Sequence, residues 1–364
     1  MSTDPVKELI GELGTRLLQK EHSDIVFSGG RGSQFEIKPS EFVEIAKNDT
    51  PRKIAFVDGG NGILYETPNV MIIINRVYFS IFEGKRRTRP KSNPRIQFFS
   101  LVISSIHTEN GKKKIRHDTR LFAYNKDGNH LPLESDLMSH TETSYVVQGD
   151  KINSMGRRFA EWQMALHVVE KELEPGDMIV MDGSLQTSFK NEVKYARRLY
   201  DTAMGKNVTV CGLAKTSKLV TESGDPLMSR IAEIAEDVPF GRWYVKVAEE
   251  VSSDDRGFML AAKFHEKSSY IFRFEVLRDQ FVKMEPHEIN SILSSLAANS
   301  QDVAMIGYPY GALDADRFAQ VRMDEISMYR RLVIAEMFKN QEWKRLQKYD
   351  TDLRAHDTLN EVTS

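Results

Sequence analysis

The sequence predicts an α/β protein: a mixed sheet flanked by helices, with helical N- and C-terminal extensions. Three observations lead there. Short continuous apolar runs, Ile54-Ala55-Phe56-Val57 and Met178-Ile179-Val180-Met181, have the length and composition of buried strands. Residues 70–82, 95–107 and 114–124 are β-branched and aromatic, with turn formers between them, as in an antiparallel meander. Apolar residues at helical spacing then alternate with further strand-like runs, and such alternation is the mark of helices packed on a sheet.

Asp4 and Pro5 suit an N-cap and a first helical position. Val6, Leu9, Ile10, Leu13 and Leu17 follow at helical spacing; this stripe either packs on the chain's own core or offers a surface to a partner. Residues 20–50 are rich in turn formers, so 1–50 reads as an N-terminal helical extension. The run at 54–57 stops at Asp58-Gly59-Gly60-Asn61-Gly62, where a turn is expected. After the meander, 125–154 is polar and irregular, an insertion. A helix over about 154–173 carries Phe159, Trp162, Leu166, Val169 and Leu173 on one stripe and ends at Pro175-Gly176-Asp177. The strand 178–181 stops at Asp182-Gly183-Ser184. A helix near 190–204 leads into a strand over 208–213, and 243–277 supplies more strands. Val303-Ala304-Met305-Ile306 is expected to be a last buried strand. A helix over about 325–347 closes the chain, with a polar tail beyond. The main domain is thus 51–335, followed by a helix end and tail at 336–364.

Lys and Arg number 50 against 52 Asp and Glu. That balance excludes a uniformly basic coat but not a local basic groove, because a ligand feels the distribution of charge. The single cysteine, Cys211, excludes an internal disulfide and a zinc site of the CxxC type. No apolar stretch approaches the roughly 18 residues of a membrane span, and the N-terminus lacks a signal-like apolar core. A cytoplasmic protein with no membrane partner is expected. No HExxH, no GxSxG and no phosphate-binding GxxxxGK[ST] loop occurs.

Two buried strands therefore end in Asp-Gly, at Asp58 and Asp182. Either alone reads as a turn. Together, at the carboxyl ends of strands in one sheet, they point to a shared carboxylate site. Glu161, on the helix before the Asp182 strand, has the spacing of a solvated face residue and is a third candidate. Asp316 is a fourth, with Asp314 as its local competitor. Clustered carboxylates without His or Cys suit hard divalent ions such as Mg²⁺ or Mn²⁺, and two such ions clamp the attacking and leaving oxygens of a phosphodiester.

Five segments, taken in order, resemble the NurA nuclease family. They are Ala55-Phe56-Val57-Asp58-Gly59-Gly60, Met181-Asp182-Gly183-Ser184-Leu185, Gly212-Leu213-Ala214-Lys215-Thr216-Ser217, Ala262-Lys263-Phe264-His265-Glu266 with Phe272-Arg273-Phe274, and the stretch from Gly307-Tyr308-Pro309-Tyr310 to Asp314-Ala315-Asp316-Arg317. The similarity spans about 50–335. It implies an RNase H-like fold and a Mn²⁺-dependent DNA nuclease, with Mg²⁺ as the alternative and two ions. It also implies 5′–3′ trimming and single-strand cutting in DNA end resection, a homodimer, and a HerA-like hexameric ATPase as partner. Carried over, Asp58, Glu161, Asp182 and Asp316 are the metal-binding acids and Tyr308 the active-site tyrosine. Lys215, Lys263 and Arg273 are the basic residues facing DNA. Some members carry His where Asp316 stands, and Gly60 replaces a more usual Ser.

Lys85, Arg86, Arg87, Arg89, Lys91 and Arg95 crowd into eleven residues without an acid. They read as a solvated loop or, beside a carboxylate site, as a groove that tracks phosphates. Lys112, Lys113, Lys114 and Arg116 form a second cluster. Two other readings compete. An actin-like or sugar-kinase ATPase would use Asp58-Gly59-Gly60-Asn61-Gly62 as a phosphate loop, but Asn61 stands where a hydroxyl is wanted. A non-catalytic DNA-binding scaffold of the same fold is opposed by Asp58, Glu161 and Asp182 together.

Overall fold

The computed structural model describes residues 4–18, 33–47, 52–124, 131–137, 139–141, 152–249 and 256–339. Their thirteen strands form one sheet. In chain order these are β1 (Ser33–Gln34), β2 (Val43–Glu44), β3 (Lys53–Thr67), β4 (Val70–Glu83), β5 (Arg86–Thr88), β6 (Arg95–Glu109), β7 (Lys112–Ala123), β8 (Ser139–Thr141), β9 (Met178–Asp182), β10 (Thr209–Ala214), β11 (Trp243–Glu249), β12 (Gly257–Lys263) and β13 (Phe272–Leu277). The longer helices are α1 (Pro5–Leu18), α2 (Met155–Lys171), α3 (Glu192–Lys206), α4 (Leu227–Ile234), α5 (Pro286–Asn299), α6 (Tyr310–Ala319) and α7 (Met323–Lys339).

The strands lie in the order β1-β11-β12-β13-β10-β9-β3-β4-β6-β7-β8, with β2 against β11 and β5 against β4. β9 runs parallel to both of its neighbours, β3 and β10. The parallel pairs are connected through α2 and α3, as a crossover requires. Alternation along β3 sets up two cores, because successive side chains point to opposite faces. Ala55 and Val57 pack with Ile179, Met181, Phe159, Trp162 and Leu199 under α2 and α3. Ile54 and Phe56 pack with Met178, Val180, Leu293, Leu296, Ala312 and Ala315 under α5 and α6. A third core lies between β11, β12 and α4, around Trp243, Val245 and Ile231.

The expected mixed sheet with flanking helices is therefore present, and several elements differ from expectation. Asp58-Gly59-Gly60 is not a turn. β3 continues through it to Thr67, paired with β4 throughout; what ends at Val57 is the parallel pairing with β9. The glycines serve close approach instead. A Cβ on Gly60 would stand 2.4 Å from the Ala319 carbonyl oxygen at the end of α6, so the hydroxyl residue more usual at this position has no room here. The segment 303–306 is not a strand. Asp302 Oδ1 accepts from Ala304 N at 2.8 Å, Val303 is 88% exposed, and Gly307 turns the chain at φ +92°. Helices α4, α5 and α6 were not foreseen, and α7 is described only to Lys339. β1 and β2 join the sheet through β11, so residues 33–47 belong to the main body. Of the expected insertion at 125–154, residues 125–130, 138 and 142–151 lie outside the described residues, as does the tail beyond 339.

α1 starts as expected, with Asp4 Oδ1 accepting from Val6 N at 3.0 Å. Val6, Leu9, Ile10 and Leu13 all remain more than half exposed, so the stripe is not part of a core among the described residues. No helix among those residues is long and apolar enough to cross a membrane.

Candidate active site

Three adjacent strands deliver their side chains to one edge of the sheet. Asp58 follows the last parallel pair of β3 and β9, Asp182 ends β9, and Lys215 follows β10. The Lys215 ammonium stands among three carboxylates: 3.2 Å from Asp58 Oδ2, 3.3 Å from Asp182 Oδ1 and 2.7 Å from Asp316 Oδ1. Asp58 is buried, and its Oδ1 also accepts from Gly59 N at 2.6 Å.

Helices supply the rest from opposite faces. α2 brings Glu161, whose carboxylate pairs with Arg157 one turn earlier. The Arg157 guanidinium also donates to the Gly59 carbonyl at 3.2 Å. The fit is close: a Cβ on Gly59 would stand 2.2 Å from Glu161 Oε1. Gly59→Ala is therefore expected to push the Glu161 carboxylate away, and to reproduce the functional loss of Glu161→Ala with little change in Tm. Parallel assays of the two variants check this; a fully active Gly59→Ala protein would remove Glu161 from the site.

α6 brings Asp316 from the other face. Its packing is tight, since a Cβ on Gly311 would lie 2.2 Å from the Phe56 ring. Gly311 is also held from both sides, its carbonyl accepting from Ser80 Oγ and its N–H donating to Asn299 Oδ1. Of the two acids on this helix, Asp316 faces Lys215. Asp314 points elsewhere, as two positions apart on a helix demands, and lies 3.1 Å from an Arg87 nitrogen.

Electrostatics follow from this crowding. Burial raises the Asp58 pKa well above the ordinary carboxylate value, and the neighbouring Asp182 raises it further, while Lys215 pulls it down. Burial likewise raises Glu161, against the opposing pull of Arg157 and Arg158. Lys215 shows the reverse balance. Burial disfavours its charge, but Asp58 and Asp182 outweigh that and hold its pKa above that of an ordinary lysine. The Tyr308 side chain is buried within the field of Lys215, Asp182, Asp58 and Asp316. Its pKa is raised, first by burial, and its hydroxyl has no hydrogen-bond partner among the described residues.

The other sequence candidates divide between the two ends of the sheet. Arg273 pairs across the strands with Ala214, next to Lys215, and Lys263 ends β12 beside Phe272. Both share the edge with the acids. The backbone of the basic segment lies toward the other end, although the Arg87 guanidinium reaches back to the Tyr78 hydroxyl, on the residue level with Asp58. Arg86 and Arg87 sit on β5, opposite Glu83 and Phe82, whereas Asp58 is level with Tyr78. Five strand residues separate Glu83 from Tyr78, roughly 17 Å. Arg87 is engaged by Asp314, by the Tyr78 hydroxyl and by the Phe318 ring, 5.2 Å away. Lys91 lies past the far end of α2, its backbone N–H donating to Glu172. Arg86 and Arg89 are exposed. Neutralising Arg86, Arg89 and Lys91 together is therefore expected to weaken binding of long DNA while sparing short oligonucleotides. Equal losses on both, measured by fluorescence anisotropy, would place these residues beside the acids after all.

Arg157 escaped the sequence reading, although its i,i+4 spacing to Glu161 was a signal. Glu275, described below, gave none, because a lone Glu in a strand run has no distinguishing pattern.

As it stands, no group of three or more acids, histidines or cysteines among the described residues is disposed to hold a metal ion; the chemistry of the donors is nonetheless that of a cation site. The donors are oxygens, and the monovalent ammonium of Lys215 already takes the centre of three carboxylates.

Fold and site together define a mixed-sheet α/β protein with an acid-rich centre where its parallel strands end. The NurA domain profile matches residues 52–321, nearly three quarters of the chain, and the chain belongs to the NurA family. No curated relative is matched by sequence. Among solved structures, Ciona intestinalis endonuclease V bound to a 23mer DNA is similar at 9% identity and a TM-score of 0.37, covering 90% of this chain and 99% of that one. A second complex of that protein, with a 24mer DNA, gives 9% and 0.36, covering 86% and 96%. Aquifex aeolicus Argonaute gives 8% and 0.34 over 72% of this chain and 28% of its own. These are remote likenesses.

Proposed function

We propose that this chain is a DNA nuclease that hydrolyses phosphodiesters with divalent metal ions, Mn²⁺ or Mg²⁺, two in number. The observation that carries the reading is the convergence of Asp58, Asp182 and Asp316 on one ammonium, with Glu161 beside them. Those four acids would hold the ions. When bound, such ions polarise a phosphodiester and supply a water-derived nucleophile at neutral pH.

The remaining residues have roles that follow from their chemistry. Lys215 neutralises the acids until a cation arrives, and its ammonium is then available to a phosphate oxygen. Arg157 favours the ionised form of Glu161 against the effect of burial and holds its carboxylate in place. The unpartnered Tyr308 hydroxyl is a ready donor to an oxygen of the substrate. Lys263 and Arg273 extend positive charge along the same edge, where a backbone would lie.

Support for an RNase H-like core comes from the central order β6-β4-β3-β9-β10: three antiparallel strands in sequence, then two strands parallel to the first. Family membership supports 5′–3′ processing in end resection, a homodimer and a HerA-like hexameric ATPase as motor, since this chain has no P-loop of its own. The exposed stripe on α1 is our candidate for part of the assembly surface.

The test is direct. End-labelled single-stranded and duplex DNA, incubated with the pure protein, should be shortened with Mn²⁺ or Mg²⁺ and remain intact with EDTA, without ATP in either case. DNA that is bound but uncut with every cation would leave the non-catalytic scaffold. ATP-dependent turnover by the chain alone would favour the ATPase.

A further inference from the structure

Glu275 is a buried carboxylate in the middle of β13, 1% exposed, and its two oxygens touch two parts of the site. One oxygen, Oε2, accepts from Leu185 N at 2.7 Å, in the loop that follows Asp182. The other, Oε1, accepts from Arg273 Nε at 2.6 Å and lies 2.5 Å from Arg273 Nη2. The surroundings are built around this carboxylate. Gly257 on the neighbouring strand leaves its space open, since a Cβ there would stand 2.4 Å from Oε2.

The loop it holds is pinned elsewhere too. Gly183 N donates to the Leu213 carbonyl at 2.9 Å, and the Leu185 carbonyl accepts from the buried Tyr200 hydroxyl at 3.1 Å. Gly183 turns at φ +94°, and Gly212 lets it pass: a Cβ on Gly212 would meet the Gly183 oxygen at 2.6 Å. The backbone behind Asp182 is thus held by Tyr200 at the Leu185 carbonyl and by Glu275 at the Leu185 N–H. Arg273, in turn, is held by a charge-assisted contact in which two of its nitrogens meet the one oxygen Oε1. Its backbone sits opposite Ala214, one residue from Lys215.

We propose that Glu275 is a positioning residue that fixes Asp182 and Arg273 relative to each other, so that the guanidinium meets the DNA backbone at a set distance from the acids. This rests on the nuclease reading above only for the identity of the substrate. Glu275 touches neither metal nor DNA; it acts through Arg273 and the Asp182 loop.

Glu275→Gln separates this from a simple structural role. The amide can still accept from Leu185 N but turns its NH₂ toward Arg273, donor against donor, and releases the guanidinium. DNA binding without divalent ions, followed by anisotropy over a salt series, is the first readout. The expected result, read well below the lowered Tm that loss of a buried ion pair entails, is an affinity about tenfold weaker and a log–log salt slope flatter by about 0.7 on single strands. Arg273→Gln should show the same losses, and the double variant should bind no more weakly than Arg273→Gln alone. In cleavage assays, KM should rise more than kcat falls. Wild-type affinity and slope in Glu275→Gln, or losses that add in the double variant, overturn the proposal, as does a wild-type chain that binds no DNA. Where Glu275→Gln fails to fold, Gly257→Ala pushes the carboxylate from its other oxygen, Oε2, and should shift it off Leu185 N and Arg273 together and so weaken binding; an unaltered Gly257→Ala protein counts against the proposal. Absence of cleavage by the wild type would sink the nuclease reading while these binding measurements still judge Glu275.

Discussion

Asp58→Asn and Asp182→Asn are each expected to abolish cation-dependent cleavage while leaving a folded protein. Each removes an oxygen charge from the centre of the site, so the loss should exceed the roughly 10–100-fold typical of residues one layer out. Single-turnover cleavage of end-labelled DNA is the measurement, and either variant cutting at near wild-type rates would displace the proposed centre. Asp58→Asn has a second signature. Because burial and Asp182 raise its pKa, the folded chain holds the Asp58 proton more tightly than the unfolded chain does. Between the ordinary carboxylate pKa and the raised one, the unfolded state binds fewer protons, so this group's contribution makes stability fall as pH rises. In metal-free protein, Tm measured across that window should therefore decline less steeply in Asp58→Asn than in wild type. An identical decline would mean that Asp58 is not the group responsible.

Lys215→Met should have opposite effects on the empty and the loaded protein. Without divalent ions, Asp58, Asp182 and Asp316 lose their shared counter-charge. A third of the lysine side chain is exposed, so solvent screens part of the interaction. A cost of roughly 1–2 kcal/mol remains, a fall in Tm of roughly 2–6 °C. Divalent ions no longer compete with an ammonium, so Mn²⁺ should bind more tightly and restore Tm by a larger shift than in wild type. Calorimetric titration with Mn²⁺ alone measures this without any turnover. Weaker Mn²⁺ binding by Lys215→Met would show that the lysine supports the cation rather than standing in for it.

How far the sequence could be read depended on whether a signal was local. Residues 178–182 and 208–214 were legible as strands because a buried strand is a continuous apolar run. The two Asp-Gly pairs drew attention to two acids that the fold brings to one edge of the sheet, yet the turn expected at Asp58 is a continuing strand. Gly59 and Gly60 are there for what lies against them, Glu161 and the end of α6, and such a contact leaves no local pattern. The apolar run 303–306 reads as a strand, but Asp302 caps it through Ala304 N, Val303 stands exposed and Gly307 turns the chain. Helix α6 was missed because Pro309-Tyr310-Gly311 reads as a loop; there the proline begins the helix and the glycine makes room for Phe56. The basic run at 85–91 was conspicuous in composition, but only the pairing of β5 with the far half of β4 reveals which end of the sheet it occupies.

The acids arrive from both sides of the sheet, and this has a bearing on how the protein comes into being. Asp58 leaves the ribosome early, Glu161 and Asp182 midway, and Asp316 near the end of the domain. Glu161 is positioned only when α2 has packed on one face, and Asp316 only when α6 has packed on the other. A nascent chain with one face formed lacks part of the centre, however native that half is. Domains generally fold as units during synthesis, and here the unit must be whole before the four acids can meet. Any cutting activity is thereby postponed until synthesis of the domain is complete.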